Sequence, residues 1–509
     1  MKKTILTPII VLIGALIFNL LFWHEKQGLN VFLFDIFIIA ALWLMDKEPF
    51  STPAVKWTVG GTLSAAMLIV WHNSLLVKYI HVFSFASMVG LMQERELRFI
   101  GFAIMQYIFN LFETPIAAFR VFKTLPLLRG QKNAAKHLNN AWMTIFILPI
   151  FYLIYYTANA KFAELSNQFW HNIFQFLSFD ININRILFVI FGFFIVGAAF
   201  WQQNWVDFAG KDASYPETLA RTEIQESDLS LYRNALNLII ALNILLFINN
   251  LIDVQYVWFA DVSGKTALQL KEYVHEGTYI LIFGIVLAIS VILWLFKNSL
   301  NFLENTPKTR HILRGVTTVW LIQKAVLAVS VGIRNAQYIN FYGLAYKRIG
   351  VFVFLALTLY GLWLLFMKIK QKRTFFFFMR RGAYAIYAVL LATCFVNWDV
   401  FITRYNIQIP SKSGAIDVRF LVEDVSSKNL YLLFENVEQL APKMTMKPFP
   451  ENDYSRQTEM QFSNDAERLT FLKNILQYKK TVFEEEQKNL SWLSWNHADD
   501  VNKAFFKYQ

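Results

Sequence analysis

Seven stretches of the chain, Thr4–Trp23, Leu138–Ala160, Ile186–Val206, Asn234–Ile252, Gly277–Phe296, Ile349–Met367 and Gly382–Trp398, carry no formal charge. Each runs for about twenty residues, enough for a helix to cross roughly 30 Å of hydrocarbon. Lipid offers no partner to a free N–H or C=O, so such stretches must be helices packed as a bundle, not loops or open sheet. The sequence therefore implies an all-α polytopic membrane protein.

The hydrophobic share of 56%, the 50 Phe and a charged share of only 17% agree with that reading. A net charge of +12 would point to nucleic acid in a soluble chain. Here the basic residues gather at the ends of apolar runs, which is a topological pattern and implies no nucleic-acid partner. Cys394 is the single cysteine, so an internal disulfide, a CxxC pair and a thiolate zinc cluster are excluded. Lys2 and Lys3 ahead of Thr4–Trp23 resemble a signal peptide, but the run is long and another begins near Asn30, so it reads as a retained first helix.

Asn30–Leu44, Val55–Trp71, Ser74–Met92 and a span from Gly315 to Ile333 that carries Lys324 complete a bundle of about 11 transmembrane helices (about 10–12). Phe99–Phe112 is too short to cross before Glu113 and Pro115, and is expected on the cytoplasmic interface, with a tilted span as the alternative. Three basic loops then face the cytoplasm: Arg120 to Lys136, Lys297 to Arg310 and Lys368 to Arg381. With the N-terminus inside, the chain after Asp399 emerges outside.

Three segments are expected: 1–137, N-terminal spans with the interfacial stretch; 138–399, the main bundle; and 400–509, a small, mainly helical extramembrane domain. Lys161–Asn184 reads as an external amphipathic helix, with Phe162, Leu165, Phe169, Ile173, Phe176 and Leu177 at helical spacing. Gln202–Tyr232, rich in acid, reads as a solvated loop or a docking surface. Asp465–Gln487 has Leu469, Leu472, Leu476 and Phe483 on one face, and Asn464 with Glu467 offers a capping box. That face needs a partner, either a helix implied by Leu430–Leu440 or the outer ends of the spans.

No phosphate loop, dinucleotide fingerprint, nucleophile elbow or zinc-protease motif is present, and the eight histidines are scattered. No catalytic residue, metal ligand or cofactor site is assigned, and the chain leans away from an enzyme. Glu272, His275 and Glu276 are the densest ionisable group near the outer interface, explained as well by helix-end solvation.

Lys324 stands out because Arg314 and Arg334, ten residues to either side, fall near the two interfaces and leave it close to the bilayer centre. An ammonium there must be paired, hydrated or neutral. A structural and a functional lysine are both open, with Asp35 and Asp253 as candidate acids. On the same helix Gln323, Ser330, Arg334, Tyr338 and Tyr342 form a polar stripe that Gly343 ends. The stripe is either an interfacial belt or a headgroup or anionic-ligand pocket centred on Arg334. Asn243, Asn250 and Asp253 form a similar stripe on another span.

Around these residues the chain resembles a bacterial membrane family known only as domain of unknown function 4173, with its close relative 4153. The likeness is carried by Leu327, Ser330, Arg334, Tyr338, Tyr342-Gly343-Leu344 and Arg348, then Asn406, Gly414, Asp417, Phe420-Leu421 and Ser494-Trp495-Asn496. Asn243, Gln255-Tyr256 and Glu272-Tyr273 with Gly277 also fit, whereas Ala345 and Ala260-Asp261 depart from the pattern. It covers roughly the second half of the chain. The resemblance implies a protein of the bacterial cytoplasmic (inner) membrane and no particular activity.

The expected function is accordingly a non-enzymatic scaffold, accessory or sensing component of an envelope complex. It would meet a protein partner through the C-terminal domain or the outer loops. The alternative is a carrier or lipid-handling transporter, with Lys324, Arg334, Tyr338, Tyr342, Arg348 and Gln255 as the ligand-binding candidates.

Overall fold

The computed structural model describes residues 2–124, 148, 151–152, 154–175, 182–220, 226–259, 267–296, 300, 302, 307–409, 416–443 and 464–508. Most of the span expected at 138–160 lies outside them. Among the described residues every regular element is helical, and β pairing is limited to one isolated bridge between Thr218 and Arg373. Eight helices among the described residues are long and apolar enough to cross a membrane, and three shorter apolar helices accompany them. This is the architecture of a multi-pass membrane protein. The chain divides into two compact units, residues 1–212 with 490–496, and 213–489 with 497–509. Neither 137 nor 399 lies at a boundary between these units.

In the first unit α1 (Lys2–Phe22), α2 (Leu29–Met45), α3 (Pro53–His72), α4 (Leu75–Gln93) and α5 (Ile100–Thr124) are followed by α6 (Ala160–Gln175), α7 (Ile183–Phe200) and α8 (Phe208–Ser214). The start of α7 lies beside the end of α1: Arg185 donates to Asn19 at 3.4 Å, and the Phe18 and Phe188 rings are 5.1 Å apart. Residues 490–496 pack on the turn between α1 and α2, where Leu29 N–H donates to Trp495 O at 3.1 Å and Lys26 N–H to Ser494 Oγ at 2.8 Å. A Cβ at Gly28 would stand 2.5 Å from Ser494 O, so glycine is what permits this approach.

The break expected at Glu113 and Pro115 is absent: α5 runs through both for 25 residues, long enough for the tilted span that is the alternative to an interfacial segment. Glu113 does not break the helix because it is buried and paired with Arg120, two turns onward. The polar face is turned inward. Asn110 donates to Ala198 O at 3.0 Å and accepts from Gln203 N–H at 3.0 Å, while Gln203 donates to Gln106 Oε1 at 2.7 Å. Met105, Ile108 and Phe112 are exposed instead, which is how a helix with amides meets lipid on one side and protein on the other.

α6 realises the first part of the expected amphipathic helix. Trp170 donates to Tyr152 at 3.1 Å and Tyr156 to Asn167 at 3.0 Å, while Leu165 and Phe169 are exposed. The side chain of Ile173, and Phe176 and Leu177 altogether, fall outside the described residues. The acidic connection after α7 is not simply solvated. Asp212 is fully buried and accepts from the Arg98 and Phe99 amides at 2.6 and 2.9 Å, and in the second unit Glu217 pairs with Arg373 and Arg380.

The second unit holds α9 (Glu226–Asp253), a π-helical turn Val254–Trp258, α10 (Ala267–Leu295), α11 (Pro307–Tyr342), α12 (Tyr346–Lys370) and α13 (Phe375–Thr393). α11 is central, packed against α9, α10 and α12 around Ile239, Ile285, Ile292, Leu321, Val331 and Leu365. Lys368, expected as a cytoplasmic flanking charge, is only 1% exposed, and its Nζ donates to Phe296 O at 2.6 Å. It thereby satisfies a carbonyl at the end of α10.

The C-terminal part consists of α14 (Trp398–Gln408), α15 (Leu430–Glu435), α16 (Val437–Leu440), α17 (Asp465–Lys488) and α18 (His497–Lys507). α17 begins at Asn464, whose side chain accepts from Glu467 N–H at 2.9 Å. Its Leu472, Leu476 and Phe483 are buried as the periodicity predicts, with Leu469 against the same core. The face packs on Leu430, Leu433 and Leu440 from α15 and α16, as one of the two expected arrangements has it, and also on Ile339 and Leu344 from the C-terminal end of α11 and the turn after it.

Candidate functional site

The two polar stripes read separately from the sequence face each other across the α9–α11 contact. Asn243 donates to Val316 O at 3.1 Å and accepts from Gln323 at 3.0 Å, and Asn250 donates to Gln323 O at 3.0 Å. One level further on, Asp253 pairs with Arg334, both largely enclosed. The π turn beyond Asp253 brings Trp258 onto Ser330 Oγ at 2.8 Å and exposes Val257 O to Gln337 Nε2 at 2.8 Å. A π turn adds a residue to the helical circuit and so re-aims the side chains beyond it. The Asn250 Oδ1, Asp253 Oδ2, Gln323 Oε1 and Gln337 Oε1 atoms are buried without a hydrogen-bond partner in this structure, and buried acceptors of this kind have capacity for a donor.

The six candidate residues do not form one site. Arg334 belongs to the seam and is compensated by Asp253, which is therefore not the acid of Lys324. Asp35, the other candidate acid, is bonded to His81 in the first unit. Lys324 is 9% exposed, and its Nζ lies 5.6 Å from the centroid of the Trp320 ring one turn earlier, a cation–π contact. It sits ten residues from Arg334, about 15 Å along the helix. Gln255 is exposed on the π turn, away from the side chains it was grouped with.

Tyr338, Tyr342 and Arg348 do come together at the C-terminal end of α11. The Arg348 guanidinium stands 4.5 Å from the Tyr338 ring centroid and donates to Gly343 O, and the two tyrosine rings are 4.6 Å apart. Gly343 ends α11 at φ +82°, a conformation glycine adopts without strain. Its neighbour Leu344 is clasped by Asn406, which accepts from the Leu344 amide at 2.6 Å and donates to its carbonyl at 2.9 Å. Asn335 donates to Arg348 O at 2.8 Å. Trp258, Gln337 and Asn335 were missed by the sequence reading, since a single polar residue in a span gives no signal without knowing its neighbour. The side chains of Glu272, His275 and Glu276 lie outside the described residues.

The family model for a domain of unknown function (DUF4153) matches residues 57–433. The chain belongs to the DUF4153 family. The match is to 4153, the relative of the 4173 family named from the motifs, and it takes in the N-terminal spans from residue 57 while ending before Ser494-Trp495-Asn496. No curated protein and no solved structure matches the chain. Membership in DUF4153 fixes no activity, so chemistry has to be argued from the seam and the outer cluster themselves.

Proposed function

We propose that this DUF4153 member is a non-enzymatic scaffold, accessory or sensing component of an envelope complex. It resides in the bacterial cytoplasmic membrane with its N-terminus inside and its C-terminal domain outside, held out to a protein partner. One observation carries the reading: the two arginines a ligand pocket would use are already engaged within the protein. Arg334 is neutralised by Asp253, and Arg348 is spent on Gly343 O and the Tyr338 ring. A compensated seam fastens helices in a membrane, where interhelical polar contacts contribute about 0.6–2 kcal/mol each.

The carrier or lipid-handling reading is favoured by Lys324, a buried ammonium over an indole with no acid assigned to it. Purification of the full chain in gentle detergent, after cross-linking in cells, separates the two. A stoichiometric protein bound to the C-terminal domain supports the scaffold. A specifically retained lipid or solute, lost in Lys324→Met, supports the carrier and overturns it.

A further inference from the structure

Asp35 of α2 and His81 of α4 meet inside the first unit, with His81 Nε2 2.7 Å from Asp35 Oδ2. The Asp35 side chain is 0% exposed and that of His81 13% exposed. Asp35 Oδ1 is buried with no hydrogen-bond partner. Each residue lies six positions past the start of its helix, Leu29 and Leu75, and thus about 9 Å in from the helix end. Those two ends share a face, because Asn73 donates to Gln27 O at 2.7 Å and ties the α3–α4 turn to the α1–α2 turn.

The charge surroundings are spare. α4 itself carries Lys78 and Tyr79, and among the described residues of the elements packed on α2 and α4, the 3-10 turn Glu48–Ser51 brings Glu48, α3 brings Lys56 and His72, α5 brings Tyr107, Glu113, Arg120 and Lys123, and α7 brings Arg185. His81 is the titratable group in hydrogen-bond contact with Asp35. An ionised Asp35 beside a neutral His81 is a net charge held in apolar surroundings with one oxygen unsatisfied, the costliest state for such a pair. Binding one proton makes the pair neutral whichever partner holds it.

We propose that Asp35 and His81 form an intramembrane proton-binding site, loaded from the face that carries Gly28 and Asn73. The imidazole, 13% exposed, receives a proton from water at one ring nitrogen and passes the proton on its other nitrogen to the Asp35 carboxylate. One H⁺ is bound and one hydronium becomes water; nothing else is exchanged. A merely structural pair would keep a single protonation state and never exchange with the bulk.

The test is NMR on the full-length protein in lipid nanodiscs, with ¹⁵N-histidine and ¹³C-aspartate, titrated between about pH 5 and 9, the range in which an imidazole responds. His81 is assigned as the one signal of eight histidines lost in His81→Gln. The expected result is a joint transition of the His81 nitrogens and the Asp35 carboxyl carbon, with the His81 midpoint moved by about one pH unit or more in Asp35→Asn, as coupled sites require. Should Asp35→Asn fail to fold, His81→Gln, which keeps an amide donor, must still displace the Asp35 transition. Signals that stay constant across the range, or that titrate without influencing each other, overturn the proposal.

Discussion

Replacing Arg334 by leucine leaves the Asp253 carboxylate buried without its counter-charge, so the variant is expected to lose about 3–5 kcal/mol. The double variant Asp253→Leu/Arg334→Leu should recover most of that, and thermal unfolding in detergent measures both. Lys324→Met removes an ion with no assigned acid, so it should fold at least as stably as the parent, within about 1 kcal/mol or better. At the membrane boundary, burial pushes the Glu94 carboxyl above its ordinary value of 4.5, against the opposing bond from Gln202, with Asp207 and Glu96 adding to the rise. The folded state then binds more protons than the unfolded state, so the contribution of Glu94 to stability declines as pH rises from 4.5 through the raised value. Glu94→Gln should flatten the unfolding temperature against pH over that window. Glu94 and Lys324 were visible in the sequence as charges, but which charge neutralises which was not, because Asp253 and Arg334 are 81 positions apart and pairing depends on helix register.

Among elements, the apolar runs and the ends at Gly343 and Asn464 were legible because they obey local rules, a period of 3.6 and a cap. Each polar stripe was legible too, as a face. That the stripes of α9 and α11 meet is a packing fact no spacing encodes, and the π turn that places Trp258 has no sequence mark. α5 was misread because Glu113 and Pro115 resemble breakers when their partners are unknown. If α5 crosses the membrane, as its 25 residues allow, a topology reporter inserted at Glu96 and one placed after Thr124 must report opposite sides. The same side for both would return α5 to the interface.

At the scale of the whole molecule, one contact bears on which side of the membrane residues 490–496 lie, without counting spans. Residues 490–496 sit at the end of α1 remote from Lys2, so if α1 crosses the membrane, they and the N-terminus lie on opposite sides. Paired cysteines replacing Lys26 and Ser494 should form an intramolecular disulfide in cells exporting to an oxidising compartment, seen as a mobility shift reversed by reductant. A reporter after Tyr508 that works only in the cytoplasm would contradict the arrangement. The same contact bears on biogenesis. Lys26 and Ser494 are separated by 468 positions, and at roughly 5–20 residues per second a ribosome takes roughly 25–95 s to make the intervening chain. Until Ser494 has been made, Glu25 and the Gly28 backbone lack the residues that cover them in the folded chain, so the amino-terminal turn is completed only after Ser494 is available and not when its own two helices form.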